Sequence, residues 1–162
     1  MISSEDKAYM AGFLDGDGSI MAQLVFRKDY KFGFQIRTSI VFYQKTNHEE
    51  ILEWLRDQLD YGYIRRRNDG MTEYTIVGLR EVESVLSLLY PYLRLKKVLA
   101  KQVLAIIKRH PAKMTVGQLL KLSELVDKTA EFNYSKKRTN TAETVRAYLQ
   151  ENLLIPVETD SV

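Results

Sequence analysis

The chain has 162 residues, 45% of them apolar and 28% charged, with a net charge of +3, the balance of one folded domain with a real core, which excludes disordered, collagen-like and array architectures. With no Cys, disulfides, thiolate nucleophiles and Cys-ligated zinc sites are excluded; the two imidazoles, His48 and His110, lie 62 positions apart, a poor basis for a His-based zinc site, and any metal falls to carboxylates. No window approaches 18 continuous apolar residues, the acidic start MISSEDKAYM is no signal peptide, and the net charge is too small to name a partner by itself.

Ser3 and Ser4 are N-caps for a first helix over about 4–14. Its residues Ala8, Tyr9, Met10, Ala11, Phe13 and Leu14 leave hardly any polar face, so it is buried on more than one side. The run breaks at Asp15-Gly16-Asp17-Gly18, where two glycines permit a tight turn. Two period-two segments follow. Over 19–27, Ile20, Ala22, Leu24 and Phe26 oppose Met21, Gln23, Val25 and Arg27; over 33–44, Phe34, Ile36, Thr38, Ile40 and Phe42 oppose Gln35, Arg37, Ser39, Val41 and Tyr43. Such alternation predicts two half-buried strands, joined across 28–32 as an antiparallel hairpin.

A helix over about 47–60 follows, with Ile51, Leu52, Leu55 and Leu59 at core spacing. The pattern then recurs. Short strands over about 62–68 and 72–77 turn at Asn68-Asp69-Gly70, and a helix over about 80–89 closes at Pro91. A basic helix over about 95–109 ends before Pro111, and two more span about 115–131 and 141–151, the last capped by Thr141. The expected class is α+β, in the order α-β-β-α-β-β-α with additional C-terminal helices, as one domain over 1–153 and a flexible tail over 154–162.

Charge is uneven. Glu49, Glu50, Glu53, Asp57 and Asp60 gather on one helix, whereas Arg94, Lys96, Lys97, Lys101, Lys108, Arg109 and Lys113 lie in a stretch with no acid. The most suggestive chemistry is Asp15-x-Asp17-Gly18, two carboxylates able to meet a divalent cation. It is not an EF-hand, because Ile20 and Phe26 stand where that loop needs Gly and Glu.

Read with its helix, Tyr9-Met10-Ala11-Gly12-Phe13-Leu14-Asp15-Gly16-Asp17-Gly18-Ser19 closely resembles the signature of the LAGLIDADG homing endonucleases. Gln44-Lys45-Thr46, Pro91 to Lys97 and Thr141 to Arg146 resemble further elements of its single-motif branch encoded in group I introns, so the likeness covers residues 8 to about 150. The resemblance implies a saddle-like, four-stranded antiparallel sheet and a homodimer built through Tyr9, Ala11, Gly12 and Phe13. It implies Mg²⁺ held by Asp17 and the Gly16 carbonyl, and catalytic roles for Asp17, Gln44 and Lys96. His48 stands where relatives carry an Arg, which leaves its role open.

The expected activity is site-specific cleavage of double-stranded DNA leaving short overhangs, and the compartment implied by the family is the chloroplast or mitochondrion, with a prokaryotic cytoplasm as the alternative. Base readout is expected from the outer sheet face, through Gln23, Val25, Arg27, Gln35, Arg37, Ser39, Arg65, Arg67, Glu73 and Thr75, because Arg suits guanine, Gln adenine and a carboxylate cytosine. Lys28 and Tyr30 at the hairpin tip should touch the outer end of each half-site. Lys136, Lys137, Arg138 and Asn140 match a loop that contacts phosphates in the family. A strand of about 12 residues spans roughly 40 Å, or about 11 base pairs, so two copies would read about 20 base pairs or slightly more. Two readings compete: a maturase binding intron RNA, and a non-catalytic DNA-binding regulator on the same fold.

Overall fold

The computed structural model describes residues 1–133 and 138–157. Its first half holds α1 (Ser4–Asp17), β1 (Gly18–Phe26), β2 (Phe34–Lys45), α2 (Glu50–Leu59), β3 (Tyr63–Arg66), β4 (Met71–Val77) and α3 (Leu79–Leu89). Helices α4 (Lys97–Arg109), α5 (Val116–Thr129) and α6 (Ala142–Glu151) complete it. The α+β class and the element order match the expectation. Among the described residues no helix is long and apolar enough to cross a membrane.

The four strands form one antiparallel sheet in the order β1-β2-β4-β3. Alternation decides its faces: Ile20, Ala22, Leu24, Ile36, Ile40, Phe42, Tyr74 and Ile76 are buried under the helices, while Gln23, Gln35, Arg37 and Glu73 look the other way. Helix α1 lies against β1 and β2, α2 and α3 against β2 and β4, and α4 and α5 against β1. Phe42 and Tyr74 stack across the strands at 5.7 Å between ring centres, and the Tyr74 hydroxyl donates to the Tyr61 carbonyl at 2.7 Å.

Helix α1 corrects the sequence reading. It does not break at Asp15 but runs through Gly16 to Asp17, capped at its start by the Ser3 hydroxyl, which accepts from the Asp6 N–H at 3.1 Å. Two glycines weaken a helix by about 1 kcal/mol each, yet the burial of Met10, Ala11 and Leu14 holds it. No turn then intervenes, because Gly18 is already extended (φ −128°, ψ 174°). A Cβ on Gly18 would lie 2.6 Å from Leu14 Cδ1 and 2.9 Å from the Leu14 carbonyl oxygen, so only glycine lets strand leave helix so abruptly. Helix α1 is also less enclosed than its composition suggested. Ala8, Tyr9, Gly12 and Gly16 are exposed.

The basic helix starts at Lys97 rather than 95, since residues 94–96 form a separate turn. Downstream of α6, the Leu154 N–H donates to the Leu149 carbonyl at 2.9 Å and Ile155 packs against the core.

Candidate active site and nucleic-acid interface

The two acids of the α1 motif have different surroundings. The Asp15 carboxylate accepts the N–H groups of Arg94, Leu95 and Lys96 at 2.8, 3.2 and 2.9 Å. It therefore braces the turn before α4 by satisfying three of its main-chain donors, the last of them at the N-cap of the helix. Asp17, in the last turn of α1, is exposed. That turn carries no basic residue, so the negative end of the helix and the Asp17 carboxylate reinforce one another.

The same brace carries Lys96 to Asp17. Lys96 is 8% exposed, and its Nζ donates to the Asp15 main-chain carbonyl. Burial lowers its pKa below the ordinary lysine value, against the opposing pull of Asp15 and Asp17. A cavity of about 420 Å³ opens beside it, lined by Gly18, Ser19, Leu95, Lys96, Leu99, Phe132 and Asn133. Gln44 lies at the same end of the sheet, two residues beyond Phe42, the partner of Gly18. It lines a different groove, however, of about 480 Å³, with Tyr9, Phe13, His48, Glu50, Ile51 and Trp54. Asp17 and Lys96 thus come together within one chain, and Gln44 and His48 sit around the corner of α1.

Of the four residues expected at a dimer contact, Tyr9 and Gly12 are exposed and Phe13 is partly so, but Ala11 is fully buried in its own core. The small residues actually presented outward are Ala8, Gly12 and Gly16, at the i, i+4, i+8 spacing of one helix face.

On the outer sheet face, donors and acceptors pair across strands. Arg37 Nη1 donates to Gln23 Oε1 and Arg27 Nε to Gln35 Oε1, both at 3.2 Å. Arg65 Nη2 donates to Glu73 Oε2 at 2.9 Å and Arg67 Nη1 to Glu73 Oε1 at 3.2 Å. Val25 lies among these side chains, and Lys28 and Tyr30 stand exposed at the hairpin tip. Ser39 and Thr75 share the face but are 0% and 5% exposed, at its floor, Ser39 between β1 and β4 and Thr75 between β2 and β3. They shape the surface more than they offer atoms from it.

Two expected phosphate contacts point elsewhere. Arg138 Nη1 donates to the Ala22 carbonyl at 2.7 Å and its Nη2 to Thr129 Oγ1 at 3.1 Å, while Asn140 Nδ2 donates to the Leu24 carbonyl at 3.0 Å. They cap the outer edge of β1, the edge strand of the sheet among the described residues. Lys136 and Lys137 lie outside the described residues.

Sequence reasoning missed one clamp. The Glu49 carboxylate accepts Arg66 Nε at 2.9 and 3.0 Å, pairs also with Arg66 Nη2, and takes the Thr72 hydroxyl at 3.0 Å. The Arg66 hydrogen bond is the main reason its pKa falls below the usual carboxylate range. Opposite charges 17 residues apart carry no local signal; the pair forms because Arg66 lies opposite Thr72 in the sheet and the start of α2 brings Glu49 against both.

Known proteins match this arrangement along most of the chain. The family model described as LAGLIDADG endonuclease matches residues 10–110. DNA endonuclease I-CvuI of Chlorella vulgaris is 42% identical over 89% of both chains. DNA endonuclease I-CreI of Chlamydomonas reinhardtii is 39% identical over 87% of this chain and 86% of its own. A crystal structure of I-CvuI in complex with the I-CreI target, in the presence of magnesium and with the DNA not cleaved, superposes with a TM-score of 0.89 at 40% identity. That match covers 94% of this chain and 97% of that one. The archaeal intron-encoded homing endonuclease I-Vdi141I, complexed with DNA, shares the fold at a TM-score of 0.82 and 17% identity, over 93% and 98% of the two chains. The helix ending in Asp17, the sheet it feeds and the extent of these matches lead to one conclusion: this chain belongs to the LAGLIDADG endonuclease family.

Proposed function

We propose that this chain is a Mg²⁺-dependent homing endonuclease that cuts double-stranded DNA at a long pseudo-palindromic site, as a homodimer, leaving short overhangs and promoting intron mobility. The observation that carries the reading is the division of labour within α1, where Asp15 is spent on the turn before α4 while Asp17 stands exposed and within electrostatic reach of buried Lys96.

Among the described residues of one chain, no three His, Cys, Asp or Glu side chains converge. One Asp17 is an incomplete donor set, which a second copy placed against the Ala8-Gly12-Gly16 face of α1 would complete with its own Asp17. A Cβ on Gly12 or Gly16 meets nothing within 4 Å, so the lane is open to a close helix contact, and Tyr9, Leu95 and Val98 leave exposed apolar surface beside it. The donors fit the ion: the Asp17 carboxylate and the Gly16 carbonyl are hard oxygens at a helix C-terminus, as Mg²⁺ prefers. The bound ion would supply Lewis-acid neutralisation of the scissile phosphate and a more acidic water. Lys96 would set its ammonium against the charge that develops on the phosphate. Gln44 would orient solvent at the same end of the sheet.

Recognition falls to the paired side chains of the outer face. Each Arg and Gln there is held by a partner that a base edge can replace, so the donors are presented in order before DNA arrives. The 12 residues of β2 span roughly 40 Å, enough for about 11 base pairs in each half-site. Family resemblance supports the chloroplast or mitochondrion as the compartment.

The test is incubation of the protein with Mg²⁺ and a randomised-target DNA library, followed by sequencing of the cut ends. A recovered pseudo-palindrome of about 20 base pairs or slightly more, cut only with metal present, is expected. No cleaved product, or cleavage unaffected by a chelator, overturns the proposal.

A further inference from the structure

We infer that Tyr148, on the C-terminal helix, is a positioning residue for target specificity: its ring sets the angle of the β1–β2 hairpin and thereby places the tip residues Lys28 and Tyr30. The inference rests on the reading that this tip meets the outer base pairs of each half-site.

The hairpin outruns the sheet. Strand β4 last pairs with β2 at Ser39–Val77, so residues 34–37 of β2 are paired with β1 alone. A two-stranded ribbon is marginal by itself and twists more freely than a wider sheet. The tip beyond it, in contrast, is internally stiff. The Arg27 N–H donates to the Gly33 carbonyl at 2.8 Å, Tyr30 to Arg27 at 3.1 Å and Gly33 to Tyr30 at 3.0 Å. A stiff tip on a pliant ribbon moves as a lever, so whatever contacts its base fixes where its end points.

Tyr148 makes that contact. Its ring, Phe26 and Phe34 lie at 5.6 Å in all three pairings, at interplanar angles of 68°, 70° and 89°, the edge-to-face packing that aromatic quadrupoles favour. The ring also sits over the bare Cα of Gly33, whose φ is +80° and where a Cβ would come within 2.3 Å of Tyr148 Cε1. Along the outer edge of β1, Arg138 and Asn140 hold the carbonyls of Ala22 and Leu24, and Tyr148 holds the ring of Phe26. The segment 138–148 thus fixes β1 at every second residue up to the hairpin's base. On its other flank the tip borders a cavity of about 420 Å³ lined in part by Tyr30, Lys31, Phe32, His110, Lys113 and Met114. The tip has room to swing that way once the ring is gone.

The experiment scores Tyr148→Ala, Tyr148→Phe, Gly33→Ala and Tyr30→Ala against a panel of half-site variants. For Tyr148→Ala, preference at the outermost base pairs should fall roughly five- to tenfold, the scale of one weakened base contact. Preference at the central positions and the salt slope should stay unchanged. Tyr148→Phe should behave as wild type, and Gly33→Ala, which displaces the ring and also strains the tip itself at its positive φ, should lose at least as much outer preference as Tyr148→Ala. An even loss across the site, or unchanged outer preference, overturns the inference. Tyr30→Ala separates the two readings: outer preference lost there but kept in Tyr148→Ala refutes the role of Tyr148, whereas no loss in Tyr30→Ala refutes the DNA contact of the tip. A DNA-free measurement decides independently. Hydrogen exchange in the ribbon that carries the tip, at the paired residues Val25 and Gln35, should accelerate in Tyr148→Ala while the tip's own amides at Tyr30 and Gly33 stay protected, and unchanged exchange in the ribbon removes Tyr148 as the prop.

Discussion

The end of α1 and the β3–β4 corner both concentrate charge, but they hold it by different means. At α1, Asp15 is locked by three main-chain N–H groups and Lys96 by a main-chain carbonyl, so the position of each charge is set by the backbone. At the corner, among the described residues, the Arg65, Arg67 and Glu73 side chains are held by one another and by Asp69. The arginine side chains there are 65% and 40% exposed, where single ion pairs contribute little. On the proposed function the contrast is fitting: phosphodiester chemistry would draw on a Lys96 fixed by the backbone, whereas reading bases would need partners that can be exchanged.

The largest effect should come from Asp17→Asn, which keeps the shape of the side chain and removes its charge. Cleavage should fall by orders of magnitude while a mobility-shift assay still shows specific binding, because the sheet is untouched. Near wild-type cutting would erase the distinction between the two acids. Asp15→Asn is the sharper comparison. Asn offers a single acceptor oxygen and its NH₂ confronts an N–H donor, so thermal or denaturant unfolding should show a loss of about 1–3 kcal/mol. Stability that is unchanged would mean that Asp15 is not a brace.

On the open face of the same helix, Gly12→Leu enters space that is empty within one chain. The subunit should fold normally, by circular dichroism and melting, while sedimentation shows the dimer lost or weakened. A dimer that survives would place the interface elsewhere. At the corner the effects should be smaller and sequence-dependent. Arg65→Ala or Arg67→Ala should cost about 1–3 kcal/mol of discrimination at particular base pairs, measured on half-site variants, and equal loss on every sequence would make these contacts positional only.

The smallest expected effect is a pH dependence. The Arg66 hydrogen bond lowers the pKa of Glu49 in the folded state. Its contribution is therefore present above the ordinary carboxylate range and is lost as pH falls through the depressed value. Melting curves of wild type and Glu49→Gln should differ at neutral pH and converge in acid, and a gap that widens in acid would contradict the pairing.

Much of this architecture is local and was legible. Period-two alternation from Ile20 to Phe42 marks strands because neighbouring side chains in a strand face opposite ways, and the Thr141 cap appears in place, accepting from the Thr144 N–H. The motif itself marked Asp17. Its local pattern did not show that the helix continues through Gly16, because helix propensity argues against two glycines and only packing overrides it.

What the amino-acid order determined by itself was therefore the strands and their two faces, the main helices and the family motif, all set by interactions within a few residues. What only the tertiary structure decided was which side chain is free. Asp15 meets partners 79 to 81 residues away, Arg138 and Asn140 turn to carbonyls 116 residues away, and Ala11 faces inward while Gly12 faces out. A buried donor or acceptor must find a partner wherever the fold supplies one, and that choice belongs to the assembled chain rather than to any segment of it.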